Sequence, residues 1–332
     1  MTDASAASRE AAGRAHGSAG SRSWKMKAVG RRPTAERMNG IMPTSNARIV
    51  LMTSFLPNYQ LLATWAERHG HEIALVVTPP GGSAGSGEYG ASALAGGLGK
   101  GVGLLVTGKL RTVAAPLIAA LAPDLVISAG FARLIPQAIL DIPASGALNL
   151  HPSALPAGRG PNPIRLVYEG AETIGATLHR TEAAFDTGAV LSRRERPLPE
   201  NLSGPALLAG WLEMFAEVVE EGADKALRGE TGIPQDPLRV SHAALFTTEE
   251  QIIDFTEPAA VICRKAAALN VLGTRAHMDL PAVGGFSVRH VEPLNFSDGT
   301  PGTVVAAHDD GWTVQAADRA VRVITGDRSP GG

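Results

Sequence analysis

Asn149 and His151 stand two residues apart at the end of the apolar run ALNLH. On a strand, that spacing puts both side chains on one face. Pro152, Pro156, Gly158, Gly160, Pro161 and Pro163 follow, which makes a structured loop. A helix, a β-branched strand over 173–181 and a turn carrying Asp186 come next. A polar pair leaving a buried strand, with a carboxylate on the turn after the next strand, points to a catalytic cluster. Its expected place is the carboxyl edge of a parallel sheet, where open α/β sheets hold their ligands.

Asn149 can donate an amide N–H to a developing oxyanion. His151 can take or give a proton near neutral pH. Asp186 can orient His151, raise its pKa, or hold a water that relays protons. None of the three is a nucleophile of the Ser or Cys type, and nothing around Ser153 resembles a nucleophile elbow. Direct acyl transfer to a substrate nucleophile, through a tetrahedral intermediate, fits them best. The plainer alternative is a structural histidine at a strand end and a common Asp-Thr-Gly turn. His151, His179 and Asp186 could converge on zinc, but no His-rich or Cys-rich ligand spacing is present, so no metal is expected.

The elements that must position these groups alternate between strand and helix. Strands are expected over 48–54, 72–78, 104–107, 124–129 and 147–150, with helices over 58–69, 113–121 and 135–141 between them. That alternation implies an α/β fold with a Rossmann-like, doubly wound parallel sheet. The turn after the first strand, Ser54 to Asn58, has no glycine, so the dinucleotide-binding fingerprint is absent and an NAD or FAD enzyme is disfavoured. The Gly/Ser/Ala-rich stretch 79–103 reads as a flexible surface loop. A long amphipathic helix over 203–227 is capped by Ser203, with Pro205 in its first turn. After a linker-like stretch come a helix near 258–269 and four short alternating runs, expected to form a small OB-like β-barrel or a sheet. The expected division is an extension over 1–46, a catalytic domain over 47–228, a linker over 229–240 and the C-terminal domain over 241–328.

The 332 residues hold one cysteine, Cys263, which excludes an internal disulfide framework and reads as inert core. No apolar run approaches the ~18 residues of a membrane span, so no membrane partner and a cytoplasmic protein are expected. The first 47 residues are Ala-, Gly-, Ser- and Arg-rich, with eight basic and three acidic side chains, a charge of +5. They are expected to be disordered, with Met38 or Met42 a plausible translation start.

The residues around the cluster resemble the folate-dependent formyltransferases, whose members formylate methionyl-tRNA, glycinamide ribonucleotide or amino sugars. The carrying motifs are LNLHPSALPAGRGPNPI (Leu148 to Ile164) and TLHRTEAAFDTGAVL (Thr177 to Leu191). The likeness extends over roughly residues 48–326. It implies 10-formyltetrahydrofolate as the formyl donor and an amine as the acceptor. Asn149 and protonated His151 would stabilise the oxyanion, and Asp186 would assist proton removal. By family position, the pterin should lie against Phe131, Ala132, Arg133, Leu134 and Ile135 and against Glu182, Ala183 and Phe185, largely through backbone groups. Ser153, Leu155 and Pro156 of the proline-rich loop join the expected donor contacts. The sequence departs from the family pattern at Ala154, at Ala183 to Phe185 and in the first turn, which lacks Gly-Thr-Pro.

Charge bears on the acceptor. Neutralising phosphates with Lys and Arg is how a protein gains affinity for RNA. Formyltransferases that act on tRNA carry a basic loop after the second strand, and the matching loop here is neutral. Residues 241–332 hold seven basic and eleven acidic side chains. With the extension set aside, the rest of the chain carries −7 against a whole-chain charge of −2. A small-molecule amine is therefore the expected acceptor: an amino acid, an amino sugar or a natural-product precursor. Methionyl-tRNA is the first alternative. A formyltetrahydrofolate hydrolase, with water as acceptor, is the second. A binding module that lost activity is the third, disfavoured by the intact triad.

Overall fold

The run RIVLMT, with the β-branched Ile49, Val50 and Thr53 and an apolar middle, forms β1 (Arg48–Thr53) and is buried on both faces. In the computed structural model, which describes residues 46–81, 88–131 and 133–325, this strand is an interior strand, third in order, of a seven-stranded sheet. The basic extension and the expected start sites at Met38 and Met42 lie outside the described residues. After β1 come α1 (Leu56–Arg68), β2 (Glu72–Thr78), α2 (Gly90–Gly97) and β3 (Gly103–Val106). A π-helical turn, Leu110–Ala114, runs into α3 (Ala115–Leu121). The sheet continues through β4 (Leu125–Ala129), α4 (Gln137–Leu140), β5 (Ala147–His151), α5 (Arg165–Glu169), β6 (Thr173–Arg180) and β7 (Val190–Pro197). Then α6 (Gly204–Leu227) packs across it, with the Ser203 hydroxyl accepting the Ala206 N–H.

Strand order is β3-β2-β1-β4-β5-β6-β7, and the first five strands are parallel. Alternation along β1 sends Ile49 and Leu51 to the core shared with α1 and α6, and Val50 and Met52 to a second core under α3 and α4. Those two cores make the sheet doubly wound. Two expectations need correction. Both β5–β6 and β6–β7 are antiparallel, and β7 carries no expected strand in the sequence reading. The loop that follows β5 stays pinned at the His151 end of the sheet, with the Leu155 N–H on Thr177 Oγ1, so β6 starts at that end and runs the other way, pairing His151 with Thr177 and Leu148 with Arg180. The stretch 79–103 is likewise not loop throughout, because α2 docks Leu94 into the core.

After α6 the chain forms a 3₁₀ turn at Pro237–Arg239, a second at Glu249–Gln251, and α7 (Ala259–Leu269). The strands β8 (His277–Leu280), β9 (Gly284–Pro293), β10 (Val304–His308), β11 (Gly311–Gln315) and β12 (Ala320–Thr325) make a separate antiparallel sheet of order β10-β11-β12-β9-β8. The first of these strands has no counterpart among the expected runs. Burial pushes the Cys263 thiol up to about 11, so it stays protonated near neutral pH. Among the described residues, no helix is long and apolar enough to cross a membrane.

One glycine is essential to how the site is assembled. Gly175 lies under the loop that follows β5, and a Cβ there would come 2.3 Å from the Ala154 backbone nitrogen. Its carbonyl also accepts the Trp211 indole N–H at 3.0 Å, tying α6 to the same strand. Gly175→Ala is expected to destabilise the fold by about 1–3 kcal/mol, the usual cost of overpacking. Thermal unfolding would register this; an unchanged melting temperature would mean the loop can lift away freely.

Candidate active site

The same alternation that buries Leu148 and Leu150 against the α6 core turns Asn149 and His151 to the other face. In β6 it buries Ala176 and Leu178 and turns Thr177 and His179 to that face, and in β4 it presents Ser128. The helices α3 and α4 cover this face mainly over β1, β2 and β4. Over β5 and β6 it is closed by the loops 152–163 and 181–189. Thr177 pins the first loop, donating to Ser153 O at 2.7 Å and accepting the Leu155 N–H at 3.1 Å.

Because β6 is antiparallel, its end lies beside the start of β5, with Thr181 N–H bonded to Ala147 O at 2.9 Å. The following loop must fold back over the polar face to bring Asp186 to the other groups. It does so with Asp186 in the left-handed region, at φ 55°. The Asp186 carboxylate then accepts the Asn149 side-chain amide at 3.2 Å and the Gly160 N–H at 2.9 Å. Its Oδ1 lies 3.5 Å from His151 Nδ1 and 3.6 Å from His179 Nε2. The three groups singled out in the sequence are therefore in one cluster, at the carboxyl end of β5 and on the face it shares with β6.

Two members of the cluster escaped the sequence reading. Ser128 donates to Asn149 Oδ1 at 2.5 Å. His179, weighed there only as a zinc ligand, lies 3.2 Å from Asn149 Nδ2. Its Nδ1 faces the Arg180 carbonyl at 2.8 Å, so Nδ1 carries the proton and Nε2 accepts from Asn149. Both N–H bonds of Asn149 are thus engaged, one by Asp186 and one by His179. The signal for both missed residues was the apolar–polar alternation of VISA and ATLH, the same pattern that singled out Asn149. Among the described residues, no group of three His, Cys, Asp or Glu side chains is arranged to hold a metal ion.

His151 is 4% exposed, and its Nε2 lies 2.9 Å from the Gly158 carbonyl. A carbonyl only accepts, so Nε2 carries the proton and the Nδ1 lone pair faces Asp186. Burial lowers the His151 pKa below 6.5, outweighing the opposing pull of Asp186 and of the Gly158 carbonyl, while His179 lowers it further. Asp186 acts to raise this pKa, as expected, but burial outweighs it, and the ring is held toward its neutral form. Burial acts to raise the Asp186 pKa. The His179 and His151 rings when they carry charge, together with the Gly160 N–H, outweigh it and hold the carboxyl below its ordinary value.

Both shifts act on stability with the same sign. A folded-state pKa below its unfolded value contributes stability above the unfolded pKa that is lost on acidification. His151 should therefore begin to cost stability as pH falls below 6.5, and Asp186 only below 3.8. Urea midpoints measured across pH 7.5 to 5 should fall for the native protein and fall less for His151→Gln. Parallel curves would show that His151 is not held neutral by burial.

The expected donor contacts divide into two sets. Phe131 is half-buried and Ile135 buried, whereas Arg133 and Leu134 are exposed, Leu134 by 50%; Ala132 lies outside the described residues. Glu182, Ala183 and Phe185 are exposed, Phe185 by 62%. Ser153, Leu155 and Pro156 are buried within their own loop, where Ser153 donates to Ala157 O at 2.6 Å. Their side chains stiffen the loop and do not face outward. A cavity of about 530 Å³ opens between residues 108–112 and 133–136, lined by Lys109, Arg111, Arg133 and Leu134. Among the described residues, no carboxylate lines it.

Two family models match the chain: Formyl transferase over residues 48–207, and Formyl transferase, C-terminal domain, over 246–329. A methionyl-tRNA formyltransferase of Janthinobacterium sp. is 32% identical over 277 residues, covering 79% of this chain and 87% of that protein. One from Pseudomonas putida is 34% identical over 221 residues, covering 65% of this chain and 69% of that protein. Among solved structures, HypX from Aquifex aeolicus in complex with tetrahydrofolic acid has a TM-score of 0.65 at 22% identity. That match covers 84% of this chain but only 44% of HypX. An N-formyltransferase from Helicobacter canadensis, in complex with folinic acid and dTDP-3-aminofucose, has a TM-score of 0.60 at 12% identity, covering 83% of this chain and 98% of that one.

Proposed function

This chain belongs to the formyl transferase family, and on that premise we propose that it moves a formyl group from 10-formyltetrahydrofolate to a primary amine, with Asn149, His151 and Asp186 as its catalytic groups. The observation that carries this reading is the Asp186 carboxylate, buried within reach of both the Asn149 amide and His151 Nδ1. When bound, the donor supplies an electrophilic formyl carbon: the amine nitrogen bonds to it, its bond to N10 breaks, and one proton passes from the amine to N10.

The residues divide that work. Asn149 turns one N–H from Asp186 or His179 to the formyl oxygen, and the Ser128 hydroxyl on Oδ1 polarises the amide for it. Neutral His151 takes the proton released by the amine. The resulting imidazolium sits between the Gly158 carbonyl and the Asp186 carboxylate, which favour the charged form that burial disfavours. The proton then passes on to N10. Lys109, Arg111 and Arg133 suit the glutamyl carboxylates of the donor, and the neighbouring segment from Phe131 to Ile135 suits its pterin. Phe185, beside Asp186, presents an apolar ring to the same ligand. The catalytic unit in this reading spans 47–228 and the smaller unit 241–328.

A small-molecule amine remains the acceptor that charge favours. Of the cations in the C-terminal region, Lys265, Arg319 and Arg322 are already paired with Glu257, Asp318 and Asp310. Methionyl-tRNA is the second reading, favoured by the names of the relatives. The test is absorbance-followed deformylation of 10-formyltetrahydrofolate with a panel of amines, charged methionyl-tRNA and buffer alone. Turnover with one small amine is the expected result. Turnover only with the charged tRNA would replace the acceptor, turnover in buffer alone would make the protein a hydrolase, and no turnover anywhere would remove the transferase reading.

A further inference from the structure

The stretch between α6 and α7 looks like a linker in sequence, yet it is bonded to both loops of the site. Ile233 exchanges two backbone hydrogen bonds with Val190, each 2.8 Å. Farther on, Arg159 N–H bonds Ser241 O at 2.9 Å and Ala243 N–H bonds Arg159 O at 2.8 Å, while the Ser241 hydroxyl accepts the Gly158 N–H at 2.9 Å. Between these two anchors lies Gln235. Its Nε2 donates to the carbonyls of Asp186 and Gly188, both at 2.8 Å. Its Oε1 accepts from Arg159 Nη2 at 2.7 Å and Nε at 3.1 Å. One amide thus has both donors on the Asp186 turn and its acceptor on the loop that follows His151.

That turn needs holding. Asp186 occupies the left-handed region at φ 55°, which a residue with a Cβ adopts infrequently. At Gly188 any Cβ would meet Arg180 O at 1.9 Å. Such conformations persist only where the surroundings over-determine them. The carbonyls that Gln235 holds are those of the strained residue itself and of the glycine two places on.

We propose that Gln235 is a positioning residue, which clamps the Asp186 turn against the Arg159 loop so that the carboxylate bridges Asn149, His151 and the Gly160 N–H. The inference rests on the reading of Asp186 as a catalytic group. In consequence the segment joining the two sheets is a part of the active site, and its course sets where the carboxylate sits.

Gln235→Met keeps the length and removes every hydrogen bond. Gln235→Glu keeps the shape and the Arg159 contact but turns a carboxylate toward the Asp186 and Gly188 carbonyls, with nothing to donate. Both variants are expected to lower kcat at least tenfold with the KM for 10-formyltetrahydrofolate within twofold of the native value. The titratable groups facing His151 are Asp186 and His179. Moving Asp186 away removes the effect that raises the His151 pKa, so the acid limb of kcat/KM and the His151 ring titration followed by NMR should both move to lower pH. A plain structural tie would lower the melting temperature and leave both titrations in place; that result, with native kcat, overturns the proposal. Should both variants fail to fold, Arg159→Met, which frees only Oε1, is expected to shift the ring titration in the same direction, and an unshifted titration there also overturns it. The NMR readout needs no turnover. If the native protein transfers no formyl group, the reading of the reaction fails while the ring titration still decides whether Gln235 positions Asp186.

Discussion

Replacing Asp186 by asparagine should lower turnover by about 10²- to 10⁴-fold, the range lost with a general acid–base system, while the fold stays intact. Asparagine tolerates the left-handed backbone that Asp186 adopts, and its Oδ1 can still accept the Gly160 N–H at 2.9 Å. What the substitution removes is charge, together with the second oxygen that accepts the Asn149 amide. A neutral amide beside His151 Nδ1 cannot stabilise an imidazolium that burial already disfavours. His151→Ala should fall in the same range for the complementary reason, because the proton then has no carrier. It also leaves the Gly158 carbonyl without its donor, so the comparison requires a melting curve alongside the rate. Groups acting as one unit are strongly non-additive. The double variant should therefore lose little more than the worse single one. Near-native turnover in a folded Asp186→Asn protein would remove the carboxylate from the mechanism, and additive losses would show that the two residues act independently.

Asn149→Ala should cost about 2.7–4 kcal/mol of transition-state stabilisation, the loss measured when an oxyanion donor is deleted. Because the bond forms fully only as charge develops, the loss should fall on kcat and leave donor binding nearly unchanged. The surroundings give the experiment a built-in control. Truncation strips a partner from Ser128, from His179 and from Asp186 at once. The Ser128 hydroxyl can rotate to a new acceptor, whereas His179 Nε2 is fixed by the Nδ1 bond to Arg180 O. Ser128→Ala removes only the first contact and keeps the donor, so it should cost much less than Asn149→Ala. Single-turnover rates for the two variants would check this. A loss below ~1 kcal/mol in Asn149→Ala would assign the oxyanion to another donor.

Much of this site was legible in the chain because local patterns carried it. The alternation in ALNLH requires Asn149 and His151 to share a face whatever surrounds them. The Gly/Pro run after it could not continue a strand, and the repeated strand–helix alternation required a doubly wound sheet. Ser128 and His179 were written in the same alternation. They were passed over because a single polar residue in an apolar strand looks like any other until a neighbouring strand supplies its partner. Burial and loop contacts were beyond local reading. The basic cavity joins Lys109 and Arg111 to Arg133, across two intervening strands of the sheet.

The sequence by itself determined which chemical groups are present, their shared face on β5 and the fold class that carries them, because strand periodicity and turn chemistry act over a few residues. Only the tertiary structure decided that β6 runs antiparallel, that the Asp186 turn folds back across the sheet, that His151 rests neutral, and that Gln235 reaches the site from a distant segment. Each of those depends on a meeting of residues far apart in the chain. Pairing direction, desolvation and long-range hydrogen bonds come into being only when the packed chain brings those residues together.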